Sequence, residues 1–513
     1  MFQSSHPVSG RGFHDRVDEL ARLEALVGEL RAGTAKWLAI IGPRKIGKSS
    51  LILELSRRSA EIVVVAVDTQ EVQPPSLEVF RICALRAVDA LLASDLGASL
   101  EVAAAAGDDV GAVLDASDRF ARLPAPVRTA IRALPRAEMT DEFARLCLDL
   151  PERLADALDR RLVIAVDEFQ ELATAPRRGG DLLPLVRSAW QRHRRVAYVV
   201  SGSGRTMLEE MVTREHSPFF QHFAIMYVEP FPAEHAIAML VDESPADRPL
   251  PVEVARRAHA ALGGHPFYLQ LFGETLTARE PPYDDAAFKD AMQDVLFSRT
   301  GRLALYLQLG FDRAVGRSQH LAAALDALAD GAQRMTDVAN RIGVSTADTA
   351  RYLERLGDLV RKQPDGTYAL DDAVLGLWLR WRRPGGSAVP MTVIGDAAER
   401  EVAGHLARLG FDLVYQARAS RGAFDLLATR GARQLGLQVK RSPLPLRFER
   451  ASWQRMGADA RRLGWQWAVA AVDAAGEVRF LDPAAVRRGK ELRLSEGAVI
   501  DNLVAWLDAA AMP

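Results

Sequence analysis

Two glycines with four residues between them, followed at once by a lysine and a hydroxyl, stand at Gly42-Pro43-Arg44-Lys45-Ile46-Gly47-Lys48-Ser49. The glycines let backbone N–H groups turn inward around phosphate. Lys48 has the reach for β and γ oxygens, and the Ser49 hydroxyl can hold Mg²⁺. An apolar run at 37–41 precedes this loop and a helix is expected from about Ser50, the context that a phosphate-binding loop requires. Residues 42–50 are therefore expected to cradle ATP. A second apolar run, 162–166, ends in Asp167-Glu168. Asp167 would complete the Mg²⁺ shell begun by Ser49, and Glu168 would orient or deprotonate the attacking water. Alone, such a pair is also a common surface turn; beside the glycine loop it points to hydrolysis. A third run at 196–200 leads into Ser201-Gly202-Ser203, where Ser203 is favoured over Ser201 to touch the γ-phosphate. Arg187, Arg192, Arg194 and Arg205 are either an arginine finger or solvated helix ends.

Asp425, Gln438 and Lys440 form a second candidate cluster. Strand alternation puts Gln438 and Lys440 on one face, with Val439 opposite in the core. The three polar groups can then meet at a sheet edge, which suits metal-assisted phosphodiester hydrolysis: a carboxylate holds Mg²⁺ while a lysine serves the attacking water. A neutral amide binds Mg²⁺ less strongly than a carboxylate. Two plainer readings stay open, an inactive nuclease fold and an ordinary α/β domain with Asp425 in a turn and Lys440 solvated. Residues 396–513 carry 18 Lys plus Arg against 14 Asp plus Glu, a local excess of +4. Arg441, Arg447, Arg450, Arg455, Arg461 and Arg462 are either a track for a phosphate backbone or a solvated helix face.

The elements that must position these groups follow from composition and periodicity. A chain of 513 residues implies about three domains. With 49% hydrophobic and 26% charged residues it is globular, and a net charge of −2 gives no global field for nucleic acid, so any such surface is local. Two cysteines, Cys83 and Cys147, make neither a disulfide framework nor a cysteine-rich zinc site, and the histidines show no metal-ligand spacing. The expectation is a cytoplasmic protein with no secretory leader and no membrane span. Apolar runs at 37–41, 62–67, 162–166 and 196–200, alternating with helical periodicity, predict a parallel sheet covered on both faces. Residues 76–160 read as a helical insertion broken at Pro124, Pro126 and Pro135. The expected domains are an ATPase core at 1–231, a helical lid at 232–314, a winged helix-turn-helix at 315–383, a linker at 384–394 and an α/β domain at 395–513.

Residues Phe13, Arg16, Glu19 and Leu20 stand before the first strand, and Gly263-Gly264-His265-Pro266-Phe267-Tyr268 within the lid. With the glycine loop and the Asp-Glu strand, they make residues 12–383 resemble the STAND and AAA+ side of the P-loop ATPases, most closely the archaeal-type ATPases. That resemblance implies that Arg16 flanks the adenine, that Pro266 belongs to a nucleotide-contacting element, and that a neighbouring subunit completes the site. Without it, His265 reads as a capping or core histidine. Residues 395 to about 485 resemble the PD-(D/E)XK nucleases of the Mrr-like branch. This implies that Asp425 and, on the first helix, Glu399 hold metal, and that Gln438-Val439-Lys440 replaces the usual E-x-K. Together the resemblances imply an ATP-dependent switch that binds DNA and carries a Mg²⁺-dependent nuclease-like effector, with defence against foreign DNA as its setting and a possible protein trigger. The alternatives are a non-nucleolytic ATP-dependent DNA-binding regulator and an ATPase that remodels a protein. Arg341, Arg351 and Arg355 of the winged helix serve either phosphate contact or protein packing.

Overall fold

Short all-apolar runs cannot remain solvated, and in the computed structural model five of them lie side by side. The structure describes residues 2–509 except 60, 93–95, 97–98, 107–108, 175–181, 204, 299, 383–396, 412, 417–423, 431–432, 464 and 490. The expected linker at 384–394 and the side chains of Arg205 and Arg462 lie outside the described residues. The chain divides into two units, one of Met1–His235 with His265–Gln270, the other of Ala236–Gly264 with Leu271–Pro513.

In the first unit, β1 (Trp37–Ile41), β2 (Val63–Asp68), β3 (Leu162–Asp167), β4 (Val196–Gly202) and β5 (Phe223–Tyr227) form one parallel sheet in the order β2-β3-β4-β1-β5. Alternate residues feed two cores. Leu38, Ile40, Val163 and Val199 pack with residues of the helices Val17–Arg31 and Lys48–Arg58. Trp37, Ala39, Ile164 and Tyr198 join a larger cluster with the helices Glu78–Leu92 and Asp141–Ala157. The sequence reading did not include β5, a half-buried edge strand whose Ala224 and Tyr227 are exposed. The helix expected from about Ser50 begins at Lys48.

The expected insertion is helical, with six helices between Glu78 and Ala157 among the described residues. Pro124 precedes the helix Ala125–Ala133 and Pro126 sits in its first turn, where a missing N–H costs nothing. Ser117 and Thr140 cap the helices Asp118–Arg122 and Asp141–Ala157 by accepting from Phe120 N at 3.1 Å and Phe143 N at 3.2 Å. Cys83 and Cys147 lie buried among these helices, and burial pushes both thiols up to about 12.

The second unit contains the helices Val252–Leu262, Asp285–Val295 and Arg302–Val315. Three short helices, Gln319–Leu328, Met335–Ile342 and Thr346–Leu356, follow. A hairpin of β6 (Val360–Lys362) and β7 (Tyr368–Leu370) comes next, with Gln333 bridging to Tyr368. Further on, β8 (Leu413–Gln416), β9 (Leu426–Arg430), β10 (Arg433–Lys440), β12 (Gln466–Val472) and β13 (Val478–Leu481) make a mixed sheet in the order β13-β12-β10-β9-β8. Only the β10–β12 pairing is parallel. The strands β11 (Leu446–Phe448), β14 (Arg487–Arg488) and β15 (Leu492–Leu494) form a small separate sheet. Leu435, Leu437 and Val439 share a core with Val402 and Leu406 of the helix Ala397–Arg408, which leaves Gly436 and Gln438 on the other face. Phe424 covers Gly436 so closely that a Cβ there would sit 2.8 Å from its ring. Among the described residues, no helix is long and apolar enough to cross a membrane.

Candidate functional site

The glycine loop turns between β1 and the helix Lys48–Arg58, at the carboxyl end of a parallel sheet, where open α/β sheets gather ligands. Gly47 takes φ +108°, a left-handed conformation natural to glycine. At Gly42 a Cβ would sit 2.6 Å from the Val228 carbonyl oxygen, so the loop can pass only because that side chain is absent. Lys48 is 5% exposed. Its ammonium donates to the carbonyls of Gly42 at 2.9 Å and Pro43 at 3.0 Å. Burial lowers its pKa, while Asp167 and Glu168 oppose that fall.

Ser49 Oγ donates to Asp167 Oδ2 at 2.8 Å, tying the loop to the end of β3. The other carboxylate oxygen accepts from Ser201 Oγ at 2.6 Å and from Glu168 N at 3.0 Å. Glu168 has φ +51° and is 8% exposed. Ser203 Oγ stands 2.8 Å from each of its carboxylate oxygens. The two serines thus serve two different carboxylates. Asp68 pairs in register with Asp167 across β2 and β3, and its pKa is raised by burial and then by Asp167 and Glu168. Glu171 is raised by burial and by Glu168. A hydroxyl and a carboxylate oxygen 2.8 Å apart are the kind of oxygen ligands that a hard cation keeping most of its water would take. Among the described residues, no group of three or more His, Cys, Asp or Glu is placed to hold a metal ion.

Around this centre, Arg16 is buried in the left-handed region at φ +68°. It donates to the Glu229 carbonyl at 2.7 Å, the Ile46 carbonyl at 3.2 Å and Glu19 at 3.0 Å, and lies 4.5 Å from the centre of the Phe231 ring. Burial lowers its pKa against the pull of Glu19. Arg44 reaches Gln70 at 3.4 Å, and Lys45 sits 4.1 Å over the Phe267 ring. His265 Nε2 meets the Arg44 carbonyl at 3.1 Å; burial drives its pKa down to about 3, so the ring is neutral and Nε2 carries the proton. Pro266 begins the helix that follows. Ser50 Oγ accepts from Val8 N at 3.1 Å, and Glu54, held at a pKa of about 2 chiefly by Arg57, accepts from Gly10 N at 2.8 Å. These bonds fasten residues 8–10 to the loop's own helix.

Sequence reasoning missed Gln170, Asp68 and Thr69. Gln170 Nε2 donates to Glu168 Oε2 at 2.6 Å and Thr69 Oγ1 to the Glu168 carbonyl at 2.7 Å. The available signals were the position of Gln170 two residues after Glu168 and that of Asp68 at the end of the neighbouring strand. Of the candidate fingers, Arg187 binds His222 at 3.1 Å and Arg192 binds Asp149 at 3.2 Å; the Arg194 backbone N–H donates to Glu152 at 2.8 Å.

The second cluster comes together in part. Gln438 Nε2 donates to Asp425 Oδ2, which also accepts from Val439 N at 2.7 Å. Lys440 is exposed at the end of β10, and Glu399 lies on the helix Ala397–Arg408. Arg441, Arg447, Arg450, Arg455 and Arg461 are exposed; Arg447 pairs with Glu491 at 3.2 Å and Arg450 donates to the Gly489 carbonyl at 2.8 Å.

A family model described as an ATPase domain predominantly from Archaea matches residues 13–272. The Walker-type ATPase of Pyrococcus abyssi shares the fold, with a TM-score of 0.52, 21% identity and coverage of 72% of this chain and 96% of that one. The Aeropyrum pernix ORC2 protein aligns at 14% identity and a TM-score of 0.45, covering 71% of this chain and 94% of its own. The Archaeoglobus fulgidus Holliday junction resolvase Hjc aligns at 20% identity and a TM-score of 0.20, covering 22% of this chain and 94% of its own. No curated protein sequence matches.

Proposed function

The chain belongs to the family of ATPase domains found predominantly in Archaea and hydrolyses ATP, and we propose that the site between β1 and β3 powers a switch acting on DNA. The observation that carries this is the 2.8 Å bond joining Ser49 of the loop to Asp167 of β3, beside a buried Glu168. Residues 42–50 wrap the phosphates, Lys48 turns its ammonium from the Gly42 and Pro43 carbonyls to the β and γ oxygens, and Arg16 and Pro266 border the nucleotide. Ser49 and Asp167 hold Mg²⁺, which when bound neutralises charge on the phosphates. Glu168 takes a proton from the attacking water. Ser203 steadies that carboxylate and lies close to where the γ-phosphate would be.

Domains at 1–231, 232–314 and 315–383 follow as ATPase core, helical lid and winged helix. The three helices ending in the β6–β7 hairpin support the last of these. Residues 384–394 link it to a PD-(D/E)XK-type domain at 395–513, supported by the mixed sheet that brings Gln438 onto Asp425. There Asp425 and Glu399 hold a second Mg²⁺ while Lys440 serves the water that attacks a phosphodiester. Exposed Arg441, Arg455 and Arg461 offer the DNA backbone its counter-charge. Assembly into a homo-oligomer would supply an arginine across the ATP site. A non-nucleolytic, ATP-dependent DNA-binding regulator is the second reading, favoured by one observation: Gln438 spends its amide N–H on Asp425.

Cleavage of supercoiled and linear DNA with Mg²⁺ or Mn²⁺, with and without ATP, tests the proposal. Nicking by the wild type that is lost in both Asp425→Ala and Lys440→Ala supports the nuclease. Retention of DNA by an uncleaving wild type supports the regulator.

A further inference from the structure

The carboxylate of Glu168 is held unevenly. Oε2 lies 3.1 Å from Ser203 N and 2.6 Å from Gln170 Nε2, two N–H donors, whereas Oε1 meets only the Ser203 hydroxyl at 2.8 Å among the described residues. That hydroxyl has a single proton and stands 2.8 Å from Oε2 as well, so it serves one oxygen at a time. Oε2 is therefore filled and Oε1 has room for a proton. Gln170 itself is 4% exposed, and its amide oxygen is buried without a hydrogen-bond partner among the described residues. A flipped amide would face that oxygen toward the carboxylate, so the orientation is fixed by Glu168. An apolar side chain of the same length would bury no unpaired acceptor, and what the amide contributes is its N–H. The strand beside it leaves room for this placement: a Cβ on Gly202 would fall 2.0 Å from Gln170 Oε1.

The structure assigns Gln170 as a positioning residue for ATP hydrolysis: its amide N–H pins Oε2 of Glu168 and leaves Oε1 to take the proton of the attacking water. The inference rests on Glu168 being the base. As water gives one proton to Oε1, its oxygen bonds the terminal phosphorus, the bond from that phosphorus to the bridging oxygen breaks, and ADP and phosphate leave. The proton on Oε1 then returns to solvent.

ATP turnover and nucleotide affinity of the full chain, measured for Gln170→Leu, Gly202→Ala, Glu168→Gln and the Glu168→Gln/Gln170→Leu double variant, test this. Gly202→Ala displaces the Gln170 amide without removing it, so it carries the test should Gln170→Leu fail to fold. Both are expected to lose about tenfold in kcat with KM and ATP affinity unchanged. In the Glu168→Gln background Gln170→Leu should cost nothing more, because the group it positions is gone. Turnover within twofold of wild type in both variants overturns the inference, as does an equal further loss in the Glu168→Gln background, which would mark a merely structural role. If Glu168→Gln itself turns over normally, the base assignment fails first; if it is inactive while Gln170→Leu is normal, only the role of Gln170 fails.

Discussion

The ATP site and the Asp425 cluster use the same kinds of group at very different densities of bonding. At the first, both Asp167 oxygens and both Glu168 oxygens accept hydrogen bonds, from Ser49 of the loop's helix and from Ser201 and Ser203 at the end of β4, and the lysine is buried. At the second, one carboxylate oxygen takes an amide and a backbone N–H while the lysine stands exposed. Groups locked by their neighbours are poised for one geometry, and electrostatic catalysis depends on such preorganisation. An exposed lysine gains its geometry when substrate arrives. The first site therefore reads as held ready for turnover; on the proposed reading, the exposed lysine of the second would be ordered by DNA.

The largest expected effect comes from Glu168→Gln, which should cut kcat for ATP by about a thousandfold while leaving nucleotide affinity intact, as read by phosphate release and calorimetry. Normal turnover would break the contrast, since the densely bonded carboxylate would then be idle. Lys48→Ala should weaken ATP binding by about a hundredfold, the loss of one buried charge-assisted contact, and calorimetry would detect it. Gln438→Glu sharpens the other side. If the proposed nuclease nicks DNA, placing a carboxylate beside Asp425 should lower the Mg²⁺ needed for half-maximal nicking by about tenfold, and an unchanged Mg²⁺ dependence would count against metal at that place. The smallest effect is on stability. His265 is neutral when folded, with a pKa near 3, against an unfolded value of 6.5. The unfolded chain alone takes the proton between those values, so stability should fall as pH drops from 6.5 toward 3. In His265→Phe that slope should flatten by at most about 1.4 kcal/mol per pH unit, measured by denaturant unfolding at successive pH values.

What the sequence made legible follows how local each signal is. Gly42 to Ser49 is a contiguous motif, and Asp167-Glu168 ends a run of buried β-branched and small residues, so both could be placed without any tertiary contact. Strand alternation likewise put Gln438 opposite Val439, as observed. Edge strand β5 was legible too, since Phe223 to Tyr227 is a continuous apolar run; only its half exposure, which marks it as an edge, is a tertiary feature. Gln170 was hidden: its partner is set by a turn with Glu168 in the left-handed region and by the absence of a side chain at Gly202, features of backbone and packing that residue types two apart do not announce.

Cys83 and Cys147 offer a final consequence. Burial pushes both thiols up to about 12, so almost none of either is thiolate at pH 8. Alkylating reagents should pass over the native fold and react only when the helices around these two side chains open. The chain thus carries its own clock for local opening of the ATPase unit, and a cysteine introduced elsewhere would be labelled against an almost silent background.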